Sequence, residues 1–292
     1  MGFLSGFEHI VRDSEPLAPH TWFRLGGPAD YFAEPTSTDE LAALVRRCHE
    51  ENMPVRVLGS GSNVLVRDEG VRGLVLSLTA AAFSEISAKG PIVSAGCGAK
   101  LGHVVSTAVR EGLAGLEPLV GIPGTVGGAL HGNSGSAGAD VGQWTHSATV
   151  MTRSGEMVVR SREELRFSYR QSSLDEPVIL GAEFTLEEDD PRELTKRMQK
   201  AWIVKRAHQP QGNLNAGCIF KDVGGLDAGQ LIEQAGLKSA RTGEVMVCAD
   251  NPNFIAASTG ATCADVVKLI ELLKKGVDET LGVELETQIE IW

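Results

Sequence analysis

A chain of 292 residues, 42% hydrophobic and 22% charged, has the composition of a globular protein with room for two or three compact units. Its net charge of -11 excludes nucleic acid as the main partner, because gripping phosphates takes a basic stripe. No run approaches the ~18 apolar residues of a membrane span, and residues 1–15 lack the apolar stretch of a signal peptide. Five cysteines (Cys48, Cys97, Cys218, Cys248 and Cys263) form an odd set without a C-x-x-C pair. That speaks against a disulfide framework or a metal site and for a reducing compartment. A cytoplasmic monomer is expected.

In chain order, residues 35–78 read as a βαβ-like unit. Ser37 and Glu40 have capping-box spacing. Leu41, Leu44, Val45 and Cys48 recur at helical intervals, and Asn52 and Pro54 stop the helix. Residues 55–58 then form an apolar strand and 74–78 another. Strands are expected at 92–95, 148–151, 157–159 and 178–184, with one helix at 101–111 ended by Gly112. The stretch 119–142 is crowded with glycine and shows neither a helical nor a strand period. An acidic turn, 187–190, precedes a helix at 192–206. Asp227 and Thr262 stand where helix N-caps would, the second helix ending at Gly282, and 283–291 alternate like a strand. The expected class is α+β: an N-terminal extension (1–20), a first domain (21–188) in two parts divided near residue 80, and a smaller C-terminal domain (189–292).

The 34 glycines are not periodic; they gather in loops. The first such loop, Leu58-Gly59-Ser60-Gly61-Ser62-Asn63, follows a strand directly. Glycines at alternate positions permit left-handed backbone, and successive N–H groups can converge on an anion such as a pyrophosphate. No G-x-G-x-x-G opens a helix here and no Lys-Ser/Thr follows, so neither a Rossmann fingerprint nor a P-loop is present. Taken alone, the loop fits a plain turn equally well. The second loop is Gly121-Ile122-Pro123-Gly124-Thr125-Val126-Gly127-Gly128, followed by Asn133 in another polar glycine cluster. Four glycines in eight residues, with Ile122, Pro123 and Val126 between them, do not make a flexible linker. Gly127 and Gly128 read as places where something approaches the backbone. Two such loops suit a long, two-ended cofactor.

With these loops in place, the chain resembles the UDP-N-acetylenolpyruvoylglucosamine reductases (UDP-N-acetylmuramate dehydrogenases, the MurB family) along nearly its whole length. Leu25-Gly26-Gly27-Pro28-Ala29 is similar to the family's opening motif, and the two glycine loops, with Gly115-Leu116-Glu117, are similar to its FAD loops. Phe167-Ser168-Tyr169-Arg170-Gln171-Ser172 is similar to the motif bearing its active-site arginine, and Ala216-Gly217-Cys218-Ile219-Phe220-Lys221 to its proton-donor motif. Ala228-Gly229 through Leu237 and Asn253-Phe254-Ile255 match its C-terminal domain. The spacing from Arg170 to Cys218 resembles the subtype that lacks a tyrosine-bearing insertion.

The resemblance implies an FAD-binding domain of the vanillyl-alcohol-oxidase/p-cresol-methylhydroxylase type and a C-terminal substrate domain. It also implies NADPH as hydride source and UDP-N-acetylglucosamine enolpyruvate as substrate. Arg170 takes the place of the clamp on the substrate carboxylate, work suited to a guanidinium's paired donors; the ordinary alternative is a surface ion pair. Cys218 takes the proton donor's place, where most members carry serine; its ordinary alternative is a small apolar core residue. Lys205, Arg206 and Lys221 are candidates for the substrate or NADPH phosphates, and Tyr169 is a candidate for substrate binding. The family's catalytic glutamate falls at Gln288, with Glu286 two residues away as a substitute on the same strand face. Lys221-Asp222-Val223 and Cys248-Ala249-Asp250-Asn251 also depart from the family's pattern. The expected activity is therefore a slow reductase. The alternative is an FAD-binding relative whose reductase activity is lost or turned to another substrate.

Overall fold

The computed structural model describes residues 5–136, 138–210 and 216–292. The chain folds as two compact units from interleaved segments. The first comprises the described residues through Ser14, Asp30–Gly59 and Arg72–Lys205; the second comprises Glu15–Ala29, Ser60–Val71 and Arg206–Trp292.

The first unit carries two sheets. Four strands lie in the order Val11–Pro16, Pro28–Ala33, Val71–Leu76, Val55–Val57, the last two parallel. Helix α1 (Thr38–Glu50) packs Leu41, Leu44, Val45 and Cys48 into the core beside Leu74 and Leu76. Its start is set by Ser37, whose hydroxyl accepts the Glu40 N–H at 3.3 Å. The Glu40 carboxylate reaches past the capping-box position to accept from the N–H and hydroxyl of Thr36, both at 2.8 Å. His9 and Thr36 together hold that carboxyl down at about 2.

The second sheet is antiparallel, in the order Met157–Ser161, Thr145–Met151, Val178–Thr185, Ile92–Gly96, Ile86–Lys89. Helix α2 (Leu101–Arg110) buries Leu101, Val104, Val105 and Ala108 against it and stops at Gly112, whose φ of 72° continues no helix. Burying each such side chain contributes about 1.5–3 kcal/mol. All the strands expected by alternation in this unit are present within a few residues.

The stretch 119–142 departs from the expectation of aperiodic loop. It holds α3 (Val126–His131) and α4 (Val141–Trp144), started by the Thr125 and Asp140 side chains. Elements of six and four residues are too short to display a period, so their caps are the only local sign of them. Helix α5 (Pro191–His208) begins with proline, whose missing N–H costs nothing in a first turn.

In the second unit, α6 (Ala228–Gln234) and α7 (Cys263–Leu281) enclose a core with the antiparallel strands Arg241–Thr242, Val245–Val247 and Ile255–Ala257. The predicted caps are in place: Asp227 accepts from Gln230, Thr262 forms a full capping box with Asp265, and Gly282 closes α7 at φ 67°. Asp68 adds a second carboxylate to the start of α7, accepting the N–H groups of Cys263 and Ala264 at 2.9 and 3.0 Å. The expected strand 283–291 is much shorter. Only Glu290–Ile291 is strand, pairing in parallel with Val64–Leu65. Upstream, Thr287 makes a single bridge to Phe220. Alternation there reflects Leu285 and Ile289 dipping into the core, not a continuous ladder.

No described helix is long and apolar enough to cross a membrane.

Candidate active site

The first unit brings the two ends of the glycine pattern together. A Cβ on Gly59 would lie 2.8 Å from Thr125 Oγ1, closer than side-chain carbons come to one another. Leu58 beneath it is buried and its N–H is donated to Leu76. Thr125 caps α3, and Leu101 N–H donates to Gly124 O at 3.1 Å, which fixes the far end of the second loop. Gly121 and Gly124 have φ of 74° and 131°, and their N–H groups are donated to no other described residue. Ile122 and Pro123 between them are half-buried. The pair Gly127-Gly128, read from the sequence as room for a ligand, lies inside α3. Gly127 is small because Cys97 Cβ would stand 3.1 Å from a side chain there, while the Gly128 side is exposed.

Arg170 occupies a two-residue turn, Tyr169-Arg170, between the strands Phe167–Ser168 and Gln171–Ser172. Its φ of 56° is left-handed, a costly choice for a non-glycine residue. The hairpin is tied to the second glycine cluster. Asn133, 2% exposed, donates to Ser168 O at 2.8 Å and accepts Gly142 N–H at 3.0 Å, and the Ser172 hydroxyl donates to His131 O. Arg170 Nη1 donates to Gly135 O at 2.8 Å, and the guanidinium lies 5.3 Å from the centroid of the half-exposed Tyr169 ring. Arg170 Nε is buried and has no partner among the described residues. An unmatched cationic donor is expensive in a finished core, and at a ligand site it is ready for use. Trp144 Nε1 is unmatched in the same way, with its ring packed where Gly115 has no side chain. No sequence signal marks Trp144, since an aromatic at the end of a four-residue helix looks like any core residue. Glu117, also buried, accepts Gly115 N–H at 2.7 Å and pairs with Arg197.

Lys205 stands differently from its sequence reading. Its ammonium donates to Val120 O at 2.8 Å and Pro118 O at 3.2 Å. Burial, with Arg170 nearby, lowers its pKa to about 8. The next residue, Arg206, is exposed.

The second unit gathers the remaining candidates. Gly61 has φ 67°, and a Cβ there would lie 2.2 Å from His20 O; its own carbonyl accepts Trp22 N–H. The Ser60 and Ser62 hydroxyls are 3.4 Å apart. The N–H groups of Ser60, Gly61 and Asn63 are donated to no other described residue. Asn63 Nδ2 donates to Gln288 O at 3.1 Å, and Gln288 N–H donates to Ile219 O at 2.7 Å. First loop, C-terminal segment and proton-donor motif thus share one hydrogen-bonded knot. Asn253 locks that motif from beneath, exchanging hydrogen bonds with both Phe220 N–H and Phe220 O. Cys218 is half-buried against Cys248, Phe254 and Ala256. It therefore has an apolar side, as the ordinary alternative for a cysteine would have it. Lys221 forms an ion pair with Glu286, whose side chain is 70% exposed. Asp222, where the family commonly carries asparagine, accepts Ala228 N–H at the start of α6. The other four thiols are buried and their pKa values are pushed up, to about 12 for Cys48 and Cys97 and about 11 for Cys248 and Cys263.

Glycine loops with unused N–H groups, and an arginine whose Nε is buried without a partner among the described residues, are features of a flavin-binding enzyme. Residues 29–161 match the family described as FAD binding domain, and 209–292 match the UDP-N-acetylenolpyruvoylglucosamine reductase C-terminal domain. The chain belongs to the UDP-N-acetylenolpyruvoylglucosamine reductase family. It is 39% identical to that reductase of Rhodopirellula baltica over 284 residues, 97% of this chain and 93% of the relative. It is 42% identical to reductase 2 of Symbiobacterium thermophilum, over 97% and 92%. The crystal structure of the Thermus caldophilus enzyme superposes with a TM-score of 0.83 at 35% identity, covering 97% of this chain and 99% of that one.

The residues present fit FAD. A flavin dinucleotide needs main-chain donors for its pyrophosphate and backbone without side chains where it lies close. Such backbone is present at Gly121 and Gly124, and separately at Ser60, Gly61 and Asn63.

Proposed function

We propose that the chain reduces the enolpyruvyl double bond of UDP-N-acetylglucosamine enolpyruvate to give UDP-N-acetylmuramate for peptidoglycan, using NADPH through FAD. The observation that carries this is Arg170, a half-buried arginine held in a strained turn with its Nε buried and unmatched among the described residues, within a family match that spans nearly the whole chain. When bound, FAD supplies the relay by which hydride from NADPH reaches the β-carbon of the double bond. Charge then develops at the α-carbon and on the carboxylate. Arg170 stabilises it with a fixed positive charge. The Cys218 thiol gives its proton to the α-carbon, a thiol releasing a proton far more readily than an alcohol. Gln288, with its main chain fixed by Asn63 and Ile219, presents a neutral amide where the family presents a carboxyl. An amide can donate a hydrogen bond but cannot pass a proton. Arg206 and Lys221 take the substrate or NADPH phosphates in this reading, and Tyr169 contacts the substrate. The setting is a cytoplasmic monomer.

Gln288 is also what favours the second reading, an FAD-binding relative with another substrate. One titration separates the two. On the first reading the purified protein is expected to be yellow, to be bleached by NADPH, and to recover the oxidised spectrum when the enolpyruvyl sugar nucleotide is added. Bleaching without recovery supports the second reading and overturns the first.

A further inference from the structure

The second glycine loop is firmly held at one end, where Thr125 bridges to Lys100 and Gly124 O accepts Leu101 N–H. Its other end leaves the short turn Glu117–Leu119. Carbonyls at the end of such a turn lack partners within it and attract a cation. Two flanking carbonyls there, Pro118 O and Val120 O, point to the same ammonium, that of Lys205, at 3.2 and 2.8 Å. The lysine stem runs directly under the loop: a Cβ on Gly121 would lie 3.3 Å from Lys205 Cδ and 3.6 Å from Trp202 Cδ1. Gly121 is thus pressed onto α5 with φ 74°, and its N–H is donated to no other described residue.

We propose that Lys205 is a positioning residue of the flavin site, clamping the carbonyls of Pro118 and Val120 so that the N–H groups of Gly121 and Gly124 are presented to FAD. The inference rests on the flavin reading above. It sets aside the role that the sequence offered Lys205, as a direct ligand of phosphates. Two of the ammonium's three N–H donors are already engaged, and a group held by burial at a pKa of about 8 is a guarded cation, not a solvated one reaching for anions. The interaction is chemically specific: it needs a donor able to serve two carbonyls, which arginine supplies and methionine does not.

The test compares the full-length wild type with Lys205→Met and Lys205→Arg, reading the FAD dissociation constant from flavin fluorescence and the fold from far-ultraviolet circular dichroism. Lys205→Met is expected to bind FAD at least about tenfold more weakly, and Lys205→Arg within about threefold of wild type. If Lys205→Met does not fold, Lys205→Leu takes its place in the same comparison. Wild type that binds FAD, with Lys205→Met binding equally well, overturns this inference alone. Equal losses in Lys205→Met and Lys205→Arg overturn it as well. Wild type that binds no FAD overturns the flavin reading and the inference with it.

Discussion

Gly59 and Thr125, at the heads of two glycine loops far apart in sequence, meet so closely that a Cβ on the first would stand 2.8 Å from the hydroxyl of the second. The contact sets a geometric demand that substitution can probe. Gly59→Ala is expected to weaken FAD binding at least about tenfold without unfolding the protein. In a Thr125→Ala background the same change is expected to cost clearly less, because the obstructing oxygen is gone. Thr125→Ala itself loses a cap, worth about 1 kcal/mol. A double-mutant cycle on FAD affinity reads the coupling directly, and additive effects would show that the contact does not govern the loops.

Gln288 offers a test of gain. Its main chain is held by Asn63 and Ile219, so a glutamate there inherits the same placement. Gln288→Glu is expected to raise NADPH-driven turnover by about tenfold or more at unchanged FAD content, since one well-placed polar group in such a site commonly contributes about 10²–10³ in rate. A variant no faster than wild type would mean that the position is not the family's acid.

Thiol chemistry separates Cys218 from the other cysteines. Burial pushes Cys48 and Cys97 up to about 12 and Cys248 and Cys263 up to about 11, which leaves almost no thiolate at pH 8. Cys218 alone is half-exposed. Brief iodoacetamide treatment of the folded protein, mapped by peptide mass spectrometry, is expected to label Cys218 first. Activity should fall in step with that label. Equal labelling of Cys48 would contradict the structure.

The start of α1 carries an acid-sensitive contact. Glu40 sits at about 2 in the folded protein against an ordinary 4.5, held by the His9 ring and by Thr36. A depressed carboxyl pKa stabilises the fold above about 4.5, and the contribution is lost as pH falls through 2. Glu40→Gln is therefore expected to be less stable than wild type at pH 7, with the gap in melting temperature narrowing below pH 4.5 and closing as pH falls through about 2. A constant gap would assign the effect to the lost hydrogen bonds alone.

Helices α1, α2 and α7 and the strands of the larger sheet were legible in the sequence, because each is long enough to repeat its apolar period and is bounded by a cap or a glycine. The glycine loops were legible as tight, close-packed backbone, and Gly127 proved to lie against Cys97. Helices α3 and α4 were hidden by their shortness, and the segment after Gly282 by two buried residues that imitate a strand. Arg170 was visible only through its motif; the left-handed turn and the unmatched Nε that distinguish it come from the hairpin around it. Lys205 was visible as a cation, but its carbonyl partners lie more than eighty residues upstream, and local patterning cannot reveal them.

The knot joining Asn63 to Gln288 spans 225 positions, and it has a consequence for how the protein is made. During synthesis, the segment Ser60–Val71 leaves the ribosome long before the strand Glu290–Ile291 that Val64 and Leu65 pair with. Its open edge must wait, exposed to chaperones and to stray pairing, until the far partner arrives.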